Sequence, residues 1–260
     1  MIHAAGEDAR FLAGGQSLVP MMNFRIVRPS ALVDLSSCSD LAFVRLEEGK
    51  LRIGAMTRQY DVETDPLVLQ HCSLLAEALS HAGPATIRNR ATIGGSVANG
   101  YPVAELPTVA ACLEAEMVLV NGKGERRVAA RDFFVTGMVT AIEPGELLKE
   151  IVVSARGPRT RYGFAERGNH AGGEALAIVA ACADVGTDGR VSRVSVAAAG
   201  LETVPVRLSN VEAALVGGGL SAKIGDAYEA DLDASASGDT AERDLVKIVV
   251  EDAVAALGAS

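Results

Sequence analysis

The sequence has no Cys-x-x-Cys pair: its four cysteines, Cys38, Cys72, Cys112 and Cys182, lie far apart in apolar surroundings. That argues against a zinc ribbon or an iron–sulfur cluster within this chain and points to buried free thiols in a reducing compartment. The four histidines, His3, His71, His81 and His170, show no metal-ligand spacing such as H-E-x-x-H, so no metal site is expected. A basic excess is also missing: 24 Lys and Arg stand against 33 Asp and Glu, a net charge of −9. Nothing therefore neutralises a nucleic-acid backbone, and a phosphate ligand would have to be held mainly by main-chain N–H groups. No apolar run approaches the roughly 18 residues needed to span a bilayer, and no signal peptide opens the chain. The expectation is a soluble, cytoplasmic protein.

The 260 residues are 49% hydrophobic and 22% charged, a globular composition with length for two modest domains. Phe11-Leu12-Ala13 and residues 31–35 read as strands, with a short helix at 18–24 between them. Residues 43–46 and 51–55 form a hairpin about Glu48-Gly49, and 117–120 with 125–128 form a second about Asn121-Gly122. The periodicity of Leu67, Leu74, Leu75, Ala78 and Leu79 predicts a helix over 62–82, ended by Gly83-Pro84. Residues 86–100 read as a long structured loop, and Pro107 sits in the first turn of a helix reaching about Glu116. After a strand at 146–154, Gly157-Pro158 marks the best domain boundary. Beyond it come strands at 174–184 and 191–200 and helices at 211–216 and 244–257; Asp226 to Asp239 reads as a solvated loop or helix face. Hairpins and helices alternate without β-α regularity, so the fold class is α+β and not a doubly wound sheet.

Two segments carry the chemistry. In Ala13-Gly14-Gly15-Gln16-Ser17-Leu18 a strand runs through paired glycines into a helix start, with Ser17 as the N-cap. Thr92-Ile93-Gly94-Gly95-Ser96-Val97-Ala98-Asn99-Gly100 repeats the pattern. Glycine admits close ligand approach and positive φ, and successive N–H groups can converge on an anion beside a helix start. Ser17, Thr92, Ser96 and Asn99 add short side-chain donors. Each turn alone is weak evidence; together, in an acidic chain, they suit a pyrophosphate. The G-x-G-x-x-G and G-x-x-x-x-G-K-[ST] fingerprints are both absent, and Ser17 lacks the G-x-S-x-G context of a nucleophile. Arg88 and Arg90 fit a phosphate contact or a structural ion pair equally well.

These two motifs, continued by Glu105-Leu106-Pro107, Asp132-Phe133-Phe134 and Gly145-Glu146-Leu147-Leu148, resemble the FAD-binding medium subunit of the carbon monoxide dehydrogenase, xanthine dehydrogenase and aldehyde oxidase family. The resemblance implies a PCMH-type (vanillyl-alcohol-oxidase-like) FAD-binding domain over 1–157, with a short N-terminal subdomain, and a smaller α+β domain over 158–260. It implies FAD held by Ala13, Gly14, Gly15, Gln16, Ser17 and Leu18 and by Thr92, Gly94, Gly95, Ser96, Ala98, Asn99 and Gly100. Glu105 falls where relatives place an acid on the adenosine ribose. Leu148 matches a residue packed on the nucleotide, and Tyr162 an aromatic that can lie over the isoalloxazine.

The resemblance further implies a large molybdenum-cofactor subunit and a small [2Fe–2S] subunit as partners, in a dimer of heterotrimers, with this chain passing electrons to an external acceptor. No residue of this chain is assigned a catalytic proton transfer. The sequence departs from the family at Tyr101-Pro102, where relatives often have Asp-Pro. Gly173 replaces a common Asp, and a lysine near Tyr162 is missing, with Phe164 close by. A stand-alone flavin oxidoreductase and a nucleotide-binding module that has lost its flavin remain alternatives.

Overall fold

A computed structural model describes residues 6, 8–168, 174–220, 224–234 and 240–258, so Gly173 and residues 235–239 lie outside the described residues. The chain opens with β1 (Arg10–Leu12), α1 (Leu18–Asn23) and β2 (Leu32–Asp34), the two strands pairing in parallel. Then come β3 (Val44–Glu47), β4 (Lys50–Gly54), α2 (Gln59–Thr64), α3 (Pro66–His71), α4 (Ser73–His81), α5 (Ala85–Arg88), α6 (Ile93–Asn99) and α7 (Glu105–Cys112). They are followed by β5 (Glu116–Asn121), β6 (Gly124–Ala129), α8 (Ala130–Phe133), β7 (Phe134–Thr136), β8 (Val139–Thr140) and β9 (Leu147–Ser154). The rest of the chain holds β10 (Thr160–Gly168), β11 (Ala175–Val185), β12 (Val191–Ala199), β13 (Val206–Arg207), α9 (Ser209–Leu215), α10 (Gly225–Ala234) and α11 (Thr240–Leu257). The class is α+β, as expected. No described helix is long and apolar enough to cross a membrane.

The first sheet is antiparallel, in the order β3-β4-β9-β5-β6. Leu51, Ile53, Met117, Leu119, Ile151 and Val153 alternate along it and are buried in one core. That core is shared with the helices α2 to α4, α6 and α7. The helix expected over 62–82 is in fact three. Asp65 caps α3, its carboxylate accepting from the amides of Leu67 (2.8 Å) and Val68 (3.3 Å) with Pro66 in the first turn. Cys72 then leaves helical geometry at φ −160° and ψ 59°. Periodicity did not register these breaks: Leu67 and Leu74 keep a seven-residue spacing across Cys72, and Asp65 falls in the first turn of the expected helix. The long loop at 86–100 is also corrected: it contains α5 and α6.

The second sheet, β10-β11-β12-β13, is buried on both faces. Phe164, Ile178, Ala180, Cys182, Ala197 and Ala199 pack toward the first core, beside α4 and α7. Their alternates Ala165, Ala177, Val179, Ala181, Val196 and Ala198 form a second core with α9, α10 and α11. Burial on both sides explains why β11 reads as an unbroken apolar run. The small side chains let helices come close: a Cβ on Gly163 would stand 2.0 Å from the Ala253 carbonyl oxygen of α11. Helix α10 is anchored in this core by Tyr228 and Leu232, so part of the acidic segment read as solvated has a buried side. Helix α7, buried along nearly its whole length, packs on β11 and β12 and shares the first core with the five-stranded sheet. Its first residue, Glu105, is thereby carried to the edge of a cleft.

Candidate cofactor-binding site

The two glycine turns lie against each other. A Cβ on Gly14 would stand 2.3 Å from the Arg90 carbonyl oxygen and 2.7 Å from the Ala91 Cα, and one on Gly95 would stand 3.5 Å from the Ala13 Cβ. Gly94 is pressed on the end of β4, where a Cβ would meet that of Ala55 at 2.3 Å. The backbones touch because side chains are missing where they cross.

Their amides differ sharply. The N–H groups of Ile93 and Gly94 donate to the carbonyls of Thr57 (3.0 Å) and Ala55 (2.9 Å). That of Gly95 donates to the Thr92 hydroxyl at 3.1 Å, and that of Ser96 to the Thr92 carbonyl at 3.1 Å. The second turn is therefore satisfied within the protein, contrary to the expectation of a nest there. In the first turn, no N–H from Ala13 through Leu18 donates to an acceptor among the described residues. Gln16 folds back, its Nε2 donating to the Gly14 carbonyl at 3.0 Å. Ser17 makes no capping bond and sits at φ −105° and ψ −53°, outside the extended geometry of an ordinary N-cap.

Beside the turns opens a cleft of about 530 Å³. Its wall includes Ala13, Gly14, Gly15, Gln16, Ser17 and Leu18 from the first turn, and Thr92, Gly94, Gly95, Ser96, Ala98 and Asn99 from the second. Glu105 and Leu148 join them. Two expected residues do not. Gly100 ends α6 in the left-handed region, at φ 58° and ψ 37°, and its carbonyl accepts the Met138 amide at 2.9 Å. Its part is to seat the β7–β8 hairpin, which sends Met138 to the cleft. Tyr162 must be corrected: it is outside the cleft, in the core between the sheets, with its hydroxyl 3.3 Å from the His71 carbonyl. Strand β10 packs along α4, so Tyr162 meets the start of that helix while Phe164 and Glu166 meet His81 at its end, beside the cleft. Nine helical residues separate the two ends, about 13 Å at 1.5 Å per residue. Burial pushes the Tyr162 phenol well above its ordinary range.

The cleft's two carboxylates are shifted in opposite directions. Burial raises the pKa of Glu105; the nearby Glu166 charge adds to this, while its own amide and His81 act against it. Glu146 is held below the usual carboxylate range by Arg126, which donates two bonds of 2.7 Å, and by the Glu143 amide at 2.9 Å. Arg88 resolves as an ion pair, its guanidinium 2.7 Å from Glu63, and does not line the cleft. Sequence reasoning missed Gln59, Met56, Ala82, Ile87, Met138 and Ile142, all part of the wall. None carries a local signature, because each arrives from a different element. The cysteines Cys72, Cys112 and Cys182 are buried and free, with burial pushing the first up to about 12 and the last up to about 11.

Residues 1–155 match the family described as the FAD binding domain in molybdopterin dehydrogenase. This chain belongs to that family. It is 35% identical over 216 residues to the 6-hydroxypseudooxynicotine dehydrogenase complex subunit alpha of Paenarthrobacter nicotinovorans, covering 83% of this chain and 73% of that protein. It is 41% identical over 160 residues to the carbon monoxide dehydrogenase medium chain of Afipia carboxidovorans, covering 62% of this chain and 55% of that one. Among solved structures, quinoline 2-oxidoreductase from Pseudomonas putida 86 superposes with a TM-score of 0.90 at 31% identity, over 98% of this chain and 92% of that one. The FAD-binding domain family thus supplies the oxidoreductase class and the cofactor carried on this chain.

Proposed function

We propose that this flavoprotein is the electron-transfer subunit of a multi-subunit molybdenum hydroxylase, with residues 1–157 as its FAD-binding domain and 158–260 as the smaller α+β domain. The observation that carries this reading is the run of undonated amides from Ala13 to Leu18, in residues that line one cleft together with Ser96 and Asn99. A pyrophosphate brings negative charge and many acceptors. In a chain of net charge −9 it is best met by such neutral donors, and the open backbone of Gly14 and Gly15 admits it closely. The volume suits a cofactor site, which spans roughly 300–1,000 Å³. When bound, FAD supplies the redox chemistry, taking electrons from [2Fe–2S] clusters of a partner subunit and yielding them to an external acceptor.

The chain's own residues bind and orient. The Ala13–Leu18 amides and the Ser17, Ser96 and Asn99 side chains take the phosphates and ribityl chain. Glu105 accepts from the adenosine ribose, and Leu148 packs on the nucleotide. No side chain is assigned proton transfer: Glu146 is fixed in an ion pair with Arg126, and Glu105 is committed to ribose. That arrangement favours a relay over a self-contained oxidase. The molybdenum cofactor is placed on a large subunit and the clusters on a small one, in a dimer of heterotrimers within the cytoplasm. The test is to purify the chain with and without its genomic neighbours. A yellow chain with an FAD spectrum, copurifying with molybdenum- and iron–sulfur-bearing polypeptides, is the expected result. A colourless chain that takes up no FAD would end this reading, and substrate turnover by the isolated chain would replace it with the stand-alone oxidoreductase.

A further inference from the structure

Resting on the reading of the cleft as the FAD site, we propose that Gln59 is a further ligand-binding residue, its carboxamide hydrogen-bonding the edge of a heteroaromatic ring of the bound nucleotide. Gln59 opens α2 and is only 4% exposed. Its main-chain N–H is spent on the Ala91 carbonyl at 3.0 Å, but its side-chain amide has no hydrogen-bond partner among the described residues. A buried carboxamide without partners is destabilising. Nor are its polar atoms sealed in protein, as the orphaned Ser195 hydroxyl is. The open space that Gln59 borders is the cleft it lines, so the amide is held ready for something that enters there.

The surroundings identify the chemistry. Ala91, whose carbonyl accepts the Gln59 main-chain amide, lines the same cleft, as do Ala55, Met56, Ala82 and Ile87, all apolar groups without charge. Such an uncharged wall suits the face of a flat ring better than it suits a phosphate. A carboxamide offers a donor and an acceptor side by side. It therefore matches a ring edge with the same pair reversed, as in the bidentate pairing of Gln with the adenine N6 and N7. The pyrimidine edge of the isoalloxazine presents an equivalent C=O and N–H pair, so the shared requirement is a ring edge with adjacent donor and acceptor.

The full-length chain, stripped of cofactor, is titrated with FAD, ADP and riboflavin, comparing the parent with Gln59→Leu and Gln59→Glu. Because Gln59 has no protein partner to lose, Gln59→Leu should melt in the cofactor-free state no lower than the parent, yet bind FAD about tenfold more weakly. An equal loss for ADP with riboflavin unchanged locates the contact at the adenine. The converse, with a shifted flavin absorption band, locates it at the isoalloxazine. Gln59→Glu keeps an acceptor and removes the donor, and should also weaken FAD. FAD affinity within twofold of the parent in both variants overturns the proposal while leaving the FAD site standing, as does a melting drop in both with affinity retained. A parent chain that binds no FAD brings down both.

Discussion

The turns at 13–18 and 92–99 share a pattern, a glycine pair running into a short helix with a hydroxyl residue near its start, but the fold uses them differently. Thr92 is 1% exposed and spends its hydroxyl on the Gly95 amide; Ser17 is exposed and caps nothing. The first-turn amides of α6 are tied to the segment after β4 and to Thr92, whereas those leading into α1 are undonated in residues that line the cleft. One turn is a strut and the other is a cradle. The difference comes from burial: a turn wedged between a sheet and a helix must satisfy its own N–H groups, while one on the rim can leave them to a ligand.

That contrast can be broken most severely at the strut. Gly94→Ala places a methyl group into Ala55, and overpacking of this kind costs about 2 kcal/mol. A fall in melting temperature of about 5 °C and loss of retained FAD on gel filtration are the expected results; an unchanged melt would show that the two turns are not braced. Glu105→Gln probes the ribose contact. It should weaken FAD about tenfold by losing a charged acceptor, read by fluorescence titration.

The same variant has a pH signature. Glu105 has a raised pKa in the folded chain, so its protonation favours folding below the unfolded value, and that contribution is lost as pH rises through the folded one. With nothing to ionise, cofactor-free Glu105→Gln should outlast the parent in thermal melts at neutral pH, and the gap should close as pH falls to 4.5. A constant gap would remove ionisation from the explanation. Thr92→Val should cost about 1 kcal/mol, the value of one N-cap, measured by denaturant unfolding without ligand. Ser17→Ala should alter cofactor-free stability by less than about 0.5 kcal/mol while reducing FAD affinity about threefold. Equal stability losses at Thr92 and Ser17 would erase the distinction between strut and cradle.

Much of this was legible in local sequence. The hairpins at 44–54 and 116–129, the paired strands at 175–199 and both glycine turns each depend on residues adjacent in the chain. Turn chemistry and alternation are short-range signals, so they survive without tertiary information. Gly14 to Leu18 and Thr92 to Asn99 were recognisable for the same reason, as was Glu105 through its matching motif. The subdivision of 59–81 into three helices was hidden, because Leu67 and Leu74 keep their phase across the break at Cys72 and the break at Asp65 falls in the first turn of the expected helix.

By itself, the sequence determined the α+β class, the places where backbone can approach a ligand closely, and the need to hold phosphate with neutral donors. Only the folded molecule decided which of two equivalent turns keeps its amides free, that Tyr162 turns into the core at the far end of α4, and that Gln59 reaches the cleft. The physical reason is one of range. A glycine pair states what a backbone is able to do, but whether its N–H groups stay available depends on which carbonyls the rest of the chain brings against them.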